Sequence, residues 1–122
     1  MGKILVVDDE ENIRNVFRRA LEKVNHEVIV AENGSVGEQQ YLHHKPDVVI
    51  LDILMPTQEG IETILNLKAY NSSVKIIAIS GGGLGSAYNY LDSALKLGAK
   101  FALEKPVNIT DLINKVEILL KN

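Results

Sequence analysis

Residues 48–52 read Val48-Val49-Ile50-Leu51-Asp52: four apolar residues in succession, then a carboxylate. A strand with one wet face alternates apolar and polar residues, whereas an unbroken apolar run belongs to a strand covered on both faces. Ile4-Leu5-Val6-Val7 and Ile76-Ile77-Ala78-Ile79 repeat the pattern. Together with two less regular runs they predict strands at Ile4–Val7, Glu27–Ala31, Val48–Leu51, Lys75–Ile79 and Phe101–Leu103. Helical spacing fills the intervals. Ile13, Val16, Phe17, Ala20, Leu21 and Val24 mark one helix, and Ile61, Ile64 and Leu65 start another. Leu84, Ala87, Leu91, Ala94 and Leu95 mark a helix stopped by Gly98. Leu112, Ile113, Val116, Leu119 and Leu120 mark the last, with Asn108 and Asp111 placed to cap its start. Ser35–His44 is the poorest helical pattern, because Gly37 costs about 1 kcal/mol in a helix interior.

Strands that alternate with helices require crossover connections, so the sheet is expected to be parallel with helices on both faces. Right-handed crossovers through such an order most simply give an α/β, flavodoxin-like (βα)5 doubly wound sandwich with strand order 2-1-3-4-5. At 122 residues the chain fits a single domain, 1–122, with no output domain after the last helix. Hydrophobic residues at 46% and charged residues at 24% suit a folded globular chain rather than a disordered one. The absence of cysteine excludes disulfides, thiolate-held metals and thiol catalysis. No apolar run approaches the roughly 18 residues of a membrane span. Asp8-Asp9 also interrupt the apolar start of the chain, so neither membrane insertion nor export is expected and the reading is cytoplasmic. The net charge of −3, with 13 scattered basic residues, argues against direct nucleic-acid binding.

In this strand order the switch point lies beyond the carboxyl ends of strands 1 and 3, where open α/β sheets bind ligands. Strand 1 runs into Asp8-Asp9 and strand 3 into Asp52. Three converging carboxylates repel one another unless a cation joins them. Oxygen-only ligands favour a hard divalent ion, with Mg²⁺ the choice that also accepts a phosphate oxygen. The plain structural alternative is that Asp9 or Glu10 merely caps the first helix. Asp52 is also a candidate nucleophile toward phosphorus, giving an acyl phosphate. Ser80-Gly81 offers a hydroxyl at the end of strand 4, and Lys105 brings a cation to the same edge, where it could pair with Asp52. The Lys105-Pro106 bond is a candidate for the cis form. Taken singly, Asp52, Ser80 and Lys105 have ordinary readings as strand-end, loop and surface residues; together they form a set suited to phosphoryl transfer onto a carboxylate.

With these residues in view, the chain resembles a response regulator receiver domain (CheY-like) of two-component signal transduction. The resemblance rests on Asp8-Asp9, Pro46 through Asp52, Met55-Pro56 with Gly60, Ser80-Gly81, Gly98-Ala99 with Phe101, and Lys105-Pro106. It implies that Asp52 is the phosphoacceptor, loaded by a sensor histidine kinase or a histidine phosphotransfer protein. It implies Mg²⁺ held by Asp9 and Asp52, by Asp8 through water, and by the Leu54 backbone carbonyl. Ser80 and Lys105 would contact the phosphoryl group. Phe101 would be the aromatic residue that moves into space vacated by Ser80, reshaping the surface of helix 4, strand 5 and helix 5 for a downstream protein target. Phosphorylation in such a scheme biases an existing equilibrium through added charge and acceptor oxygens.

Some positions carry narrower expectations. An apolar Leu54, two residues beyond the nucleophile, has no group to orient water, so the acyl phosphate is expected to persist longer than with Leu54→Asn. Gly81-Gly82-Gly83-Leu84-Gly85 predicts a mobile loop. His26, His43 and His44 read as surface histidines, and one of Tyr88 and Tyr90 as an exposed partner contact. Another class of function is a small Mg²⁺-dependent phosphohydrolase with an aspartyl nucleophile. It needs a second acid where Leu54 stands. A flavin-mononucleotide binder is disfavoured because Asp8-Asp9 would repel the phosphate, and a receiver-like binding module without phosphorylation because the acidic set is complete.

Overall fold

The computed structural model describes residues 1–53, 59–81 and 86–121. The order is β1 (Lys3–Val7), α1 (Glu11–Lys23), β2 (Glu27–Ala31), α2 (Gly34–His44), β3 (Val48–Asp52), α3 (Glu59–Tyr70), β4 (Ile76–Ser80), α4 (Ser86–Leu97), β5 (Phe101–Glu104) and α5 (Ile109–Lys121). All strand pairs are parallel and the sheet order is β2-β1-β3-β4-β5. This is the flavodoxin-like arrangement expected from the apolar runs. In β1, β3 and β4 every residue from Ile4 to Val7, Val48 to Asp52 and Ile76 to Ser80 is buried, as coverage on both faces demands.

Strand side chains alternate between faces, so the sheet sorts the core into two layers. Leu5, Val7, Val49, Leu51, Ile76 and Ala78 face Tyr41 of α2, Ile64 and Leu67 of α3, and Ala94 of α4. Ile4, Val6, Val48, Ile50, Ile77 and Ile79 face Phe17 and Leu21 of α1 and Leu112, Val116 and Leu119 of α5. Side chains large enough to fill these layers make the sheet the rigid frame from which the strand ends project.

α2 is a sound helix despite its sequence. Asn33 caps it by accepting the Val36 N–H at 2.9 Å, and Lys45 closes it in the left-handed conformation with φ 50°. Gly37 has a packing reason: a Cβ there would lie 2.9 Å from a Val7 methyl. α4 stops at Gly98, whose φ of +119° suits glycine. Asn108 caps α5 by accepting the Asp111 N–H at 2.9 Å, as expected. The Lys105-Pro106 bond is cis.

His26 departs from the surface reading. It is buried, its Nδ1 accepts the Gly2 N–H at 3.0 Å, and its Nε2 lies 3.5 Å from Glu117 Oε1. The imidazole thus ties the start of β1 to the far end of α5. Among the described residues, no helix is long and apolar enough to cross a membrane.

Candidate functional site

The ends of β1, β3 and β4 and the residue after β5 meet at one edge of the sheet. Asp8 follows β1 directly; Asp52 and Ser80 are the last residues of β3 and β4. These three are buried, and Asp9 is exposed beside them. Carboxylate oxygens of Asp8, Asp9 and Asp52 all lie within 4.8 Å of one another. Lys105 Nζ stands 2.9 Å from Asp8 Oδ2 and 3.2 Å from Asp52 Oδ2. The lysine is delivered by backbone pairing, since its N–H donates to the Ser80 carbonyl at 2.8 Å. Gly81 lies beside the lysine stem, where a Cβ would make an ordinary contact with Lys105 Cδ at 3.5 Å.

Burial pushes the Asp8 carboxyl above its ordinary range, against the Glu10 N–H and Lys105, which both favour the charged form. Burial would lower Lys105, but hydrogen bonding to Asp8 and the charges of Asp52 and Asp8 outweigh it and hold the ammonium above its usual value. The carboxylate pays the larger desolvation cost because it is fully enclosed, whereas the lysine keeps some contact with water. One lysine among three carboxyl groups is a donor set with room for a divalent cation. Asp8, Asp9 and Asp52 offer oxygen ligands only, the donor set of Mg²⁺ rather than of a softer metal. The Ser80 hydroxyl is buried with no hydrogen-bond partner among the described residues. A buried hydroxyl without a partner is costly, and an acceptor oxygen brought within its reach would relieve that cost.

The capping alternative for the first acids fails. Glu10 stands at the N-cap of α1 but its side chain takes no cap bond. The Asp8 Oδ1 accepts the Glu10 N–H at 2.9 Å, while its other oxygen faces Lys105. The Leu54 carbonyl, Met55, Pro56 and residues 82–85 lie outside the described residues, as do the side chains of Tyr88 and Tyr90.

Phe101 requires a correction. Its ring packs with Leu103 on the α1/α5 face, with Lys115 Nζ 5.2 Å from the ring centroid. Ser80 is in phase with Ile76 and Ala78, on the α2/α3/α4 face. The β5 residue in register with Ala78 is Ala102. A ring at position 101 cannot enter space beside Ser80 without crossing the sheet, so Phe101 does not fill the role the resemblance implied. Arg14 gave no signal in the sequence, yet its Nη1 donates to the Asp8 carbonyl at 2.7 Å behind the acidic cluster.

The response regulator receiver domain model matches residues 4–117. The chain belongs to that family. It is 33% identical over 118 residues to the chemotaxis protein CheY of Listeria monocytogenes, covering 96% of this chain and 97% of the relative. It is 33% identical over 123 residues to the transcriptional regulatory protein YesN of Bacillus subtilis, covering 98% of this chain but 33% of that protein. The chain therefore spans nearly all of one relative and a third of another. Among solved structures, a response regulator receiver domain protein from Clostridium thermocellum superposes with a TM-score of 0.91 at 28% identity, covering 99% of this chain and 95% of the other. A receiver domain is a phosphorylation-activated signalling switch.

Proposed function

We propose that Asp52 accepts a phosphoryl group from the phosphohistidine of a sensor histidine kinase or histidine phosphotransfer protein, with Mg²⁺ held by Asp9 and Asp52, by Asp8 through water, and by the Leu54 carbonyl. The observation that carries this reading is the convergence of three carboxylates, one ammonium and one buried hydroxyl, without a partner among the described residues, at a single sheet edge. An Asp52 carboxylate oxygen bonds to phosphorus as the phosphorus–nitrogen bond breaks, and that bond's electron pair returns to the imidazole. The ion, when bound, neutralises charge on the phosphoryl oxygens. Lys105 already lies against Asp52, so it needs only a short movement to pair with a phosphoryl oxygen. Ser80 donates its hydroxyl to another. The added charge shifts the surface formed by α4, β5 and α5, which a downstream protein target reads. No independent substrate is turned over; loss of the phosphoryl group to water resets the switch.

Intact-mass measurement after incubation with acetyl phosphate and Mg²⁺ tests this. One added phosphoryl group on the wild type and none on Asp52→Asn is the expected result. No modification of the wild type, or equal modification of the variant, would remove Asp52 from the role.

A further inference from the structure

α1 begins without a side-chain cap, so other contacts must hold the turn that joins it to β1. Two side chains do. The Asp8 carboxylate accepts the Glu10 N–H at 2.9 Å, and the Arg14 guanidinium donates to the Asp8 carbonyl at 2.7 Å. Arg14 reaches back past the start of α1 to make that bond, while its own N–H donates to the Glu10 carbonyl at 3.1 Å. The carbonyl it holds belongs to the peptide joining Asp8 to Asp9. The orientation of that peptide sets the direction in which the exposed Asp9 carboxylate leaves the backbone. Asp9 must be aimed correctly to share the 4.8 Å cluster with the two buried acids.

We propose that Arg14 is a positioning residue for the divalent-cation site, fixing the Asp8-Asp9 peptide so that the Asp9 carboxylate is presented beside Asp8 and Asp52. The proposal rests on the reading that these acids hold Mg²⁺. A charge-assisted bond to a carbonyl is short and directional, so it limits rotation of the peptide more than a neutral contact does. Arginine carries a permanent charge, so this restraint persists across the pH range in which the acids titrate. Groups that orient metal ligands without touching the metal commonly change its affinity by about tenfold to a hundredfold.

The test is calorimetric titration of Mg²⁺ into the wild-type chain and into Arg14→Met, Arg14→Lys and Arg18→Met at constant ionic strength. Far-UV circular dichroism checks the fold of each. Arg14→Met should weaken Mg²⁺ binding about tenfold, by the effect of losing an orienting group. Arg14→Lys should weaken it less, and Arg18→Met, which removes the same charge one turn along α1, should leave it unchanged. Phosphorylation of Arg14→Met by acetyl phosphate should slow at limiting Mg²⁺ and recover at saturating Mg²⁺. Wild-type Mg²⁺ affinity in Arg14→Met overturns the proposal, as does wild-type affinity in Arg14→Lys should the methionine variant not fold. An equal loss in Arg18→Met also overturns it, since net charge would then explain the effect. A wild-type chain that binds no Mg²⁺ instead removes the reading of the acidic site itself.

Discussion

Lys105 faces two carboxylates at once, and the lysine and Asp8 respond differently to pH. Asp8 holds its proton more tightly in the folded chain than in the unfolded one, because burial penalises its charge. It therefore withdraws stability as pH rises from the ordinary carboxylate range through its raised value. Lys105 is also raised, so its contribution is fully present below the usual lysine value and is lost as pH climbs through the higher folded value. In Mg²⁺-free buffer, Asp8→Asn is expected to raise stability at neutral pH by about 1 kcal/mol, since it removes a buried charge while Lys105 keeps Asp52 as its partner and an amide oxygen still accepts the Glu10 N–H. Urea unfolding with and without the substitution measures this, and a destabilised variant would show that the Lys105 pair outweighs burial. The same variant should be phosphorylated more slowly, the usual exchange of stability for function at a crowded acidic site. Protons compete for the same carboxylate, so Mg²⁺ affinity should fall as pH drops toward the raised Asp8 value; calorimetry at stepped pH reads it. The acids, Ser80 and Lys105 were legible in the sequence because each sits at the end of a recognisable strand. The Arg14 contact was not, because which carbonyl a guanidinium reaches depends on the path of the turn.

Among the elements, the strands were easier to foresee than their contacts. Uninterrupted runs such as Ile76-Ile77-Ala78-Ile79 leave few other structures open, and the order of strands and helices then limits the topology. α2 was harder to see because its glycine answers to a neighbour: Gly37 lies against Val7, a contact no local propensity records. Gly60 is a stronger case. A Cβ at that position of α3 would stand 2.2 Å from the Ile53 Cα, a backbone atom that cannot step aside. Gly60→Ala must push α3 away from the end of β3. It should cost about 1–3 kcal/mol by overpacking, read as a lower urea midpoint. Because Ile53 directly follows the proposed phosphoacceptor, the variant should also be phosphorylated more slowly at equal Mg²⁺. His26 was misread for a related reason. Its local sequence looks polar, but α5 folds over it and Glu117 comes within 3.5 Å of its ring.

For the molecule as a whole, the two-layered core sets what one event can reach. Ser80 belongs to the face of α2, α3 and α4, and Phe101 to the face of α1 and α5. Phosphorylation mimicked with beryllofluoride should therefore shift the amides of Ser80 and Ala102 more than the Phe101 ring resonances, which feel only the displacement of β5 and α5 as whole elements. Large ring shifts with still amides at those positions would contradict the placement of the two residues.

The sheet is thus a wall with a room on each side. A side chain stirring in one room has no doorway to the other, and Ala102, the residue in register with Ala78 there, has only a methyl group to push with. News of an event at Asp52 must cross through the masonry itself, as strain carried along the β4 and β5 peptides. A receiver built this way would answer its target through the bearing of whole strands and helices, where a swinging ring would have offered a single knob to turn.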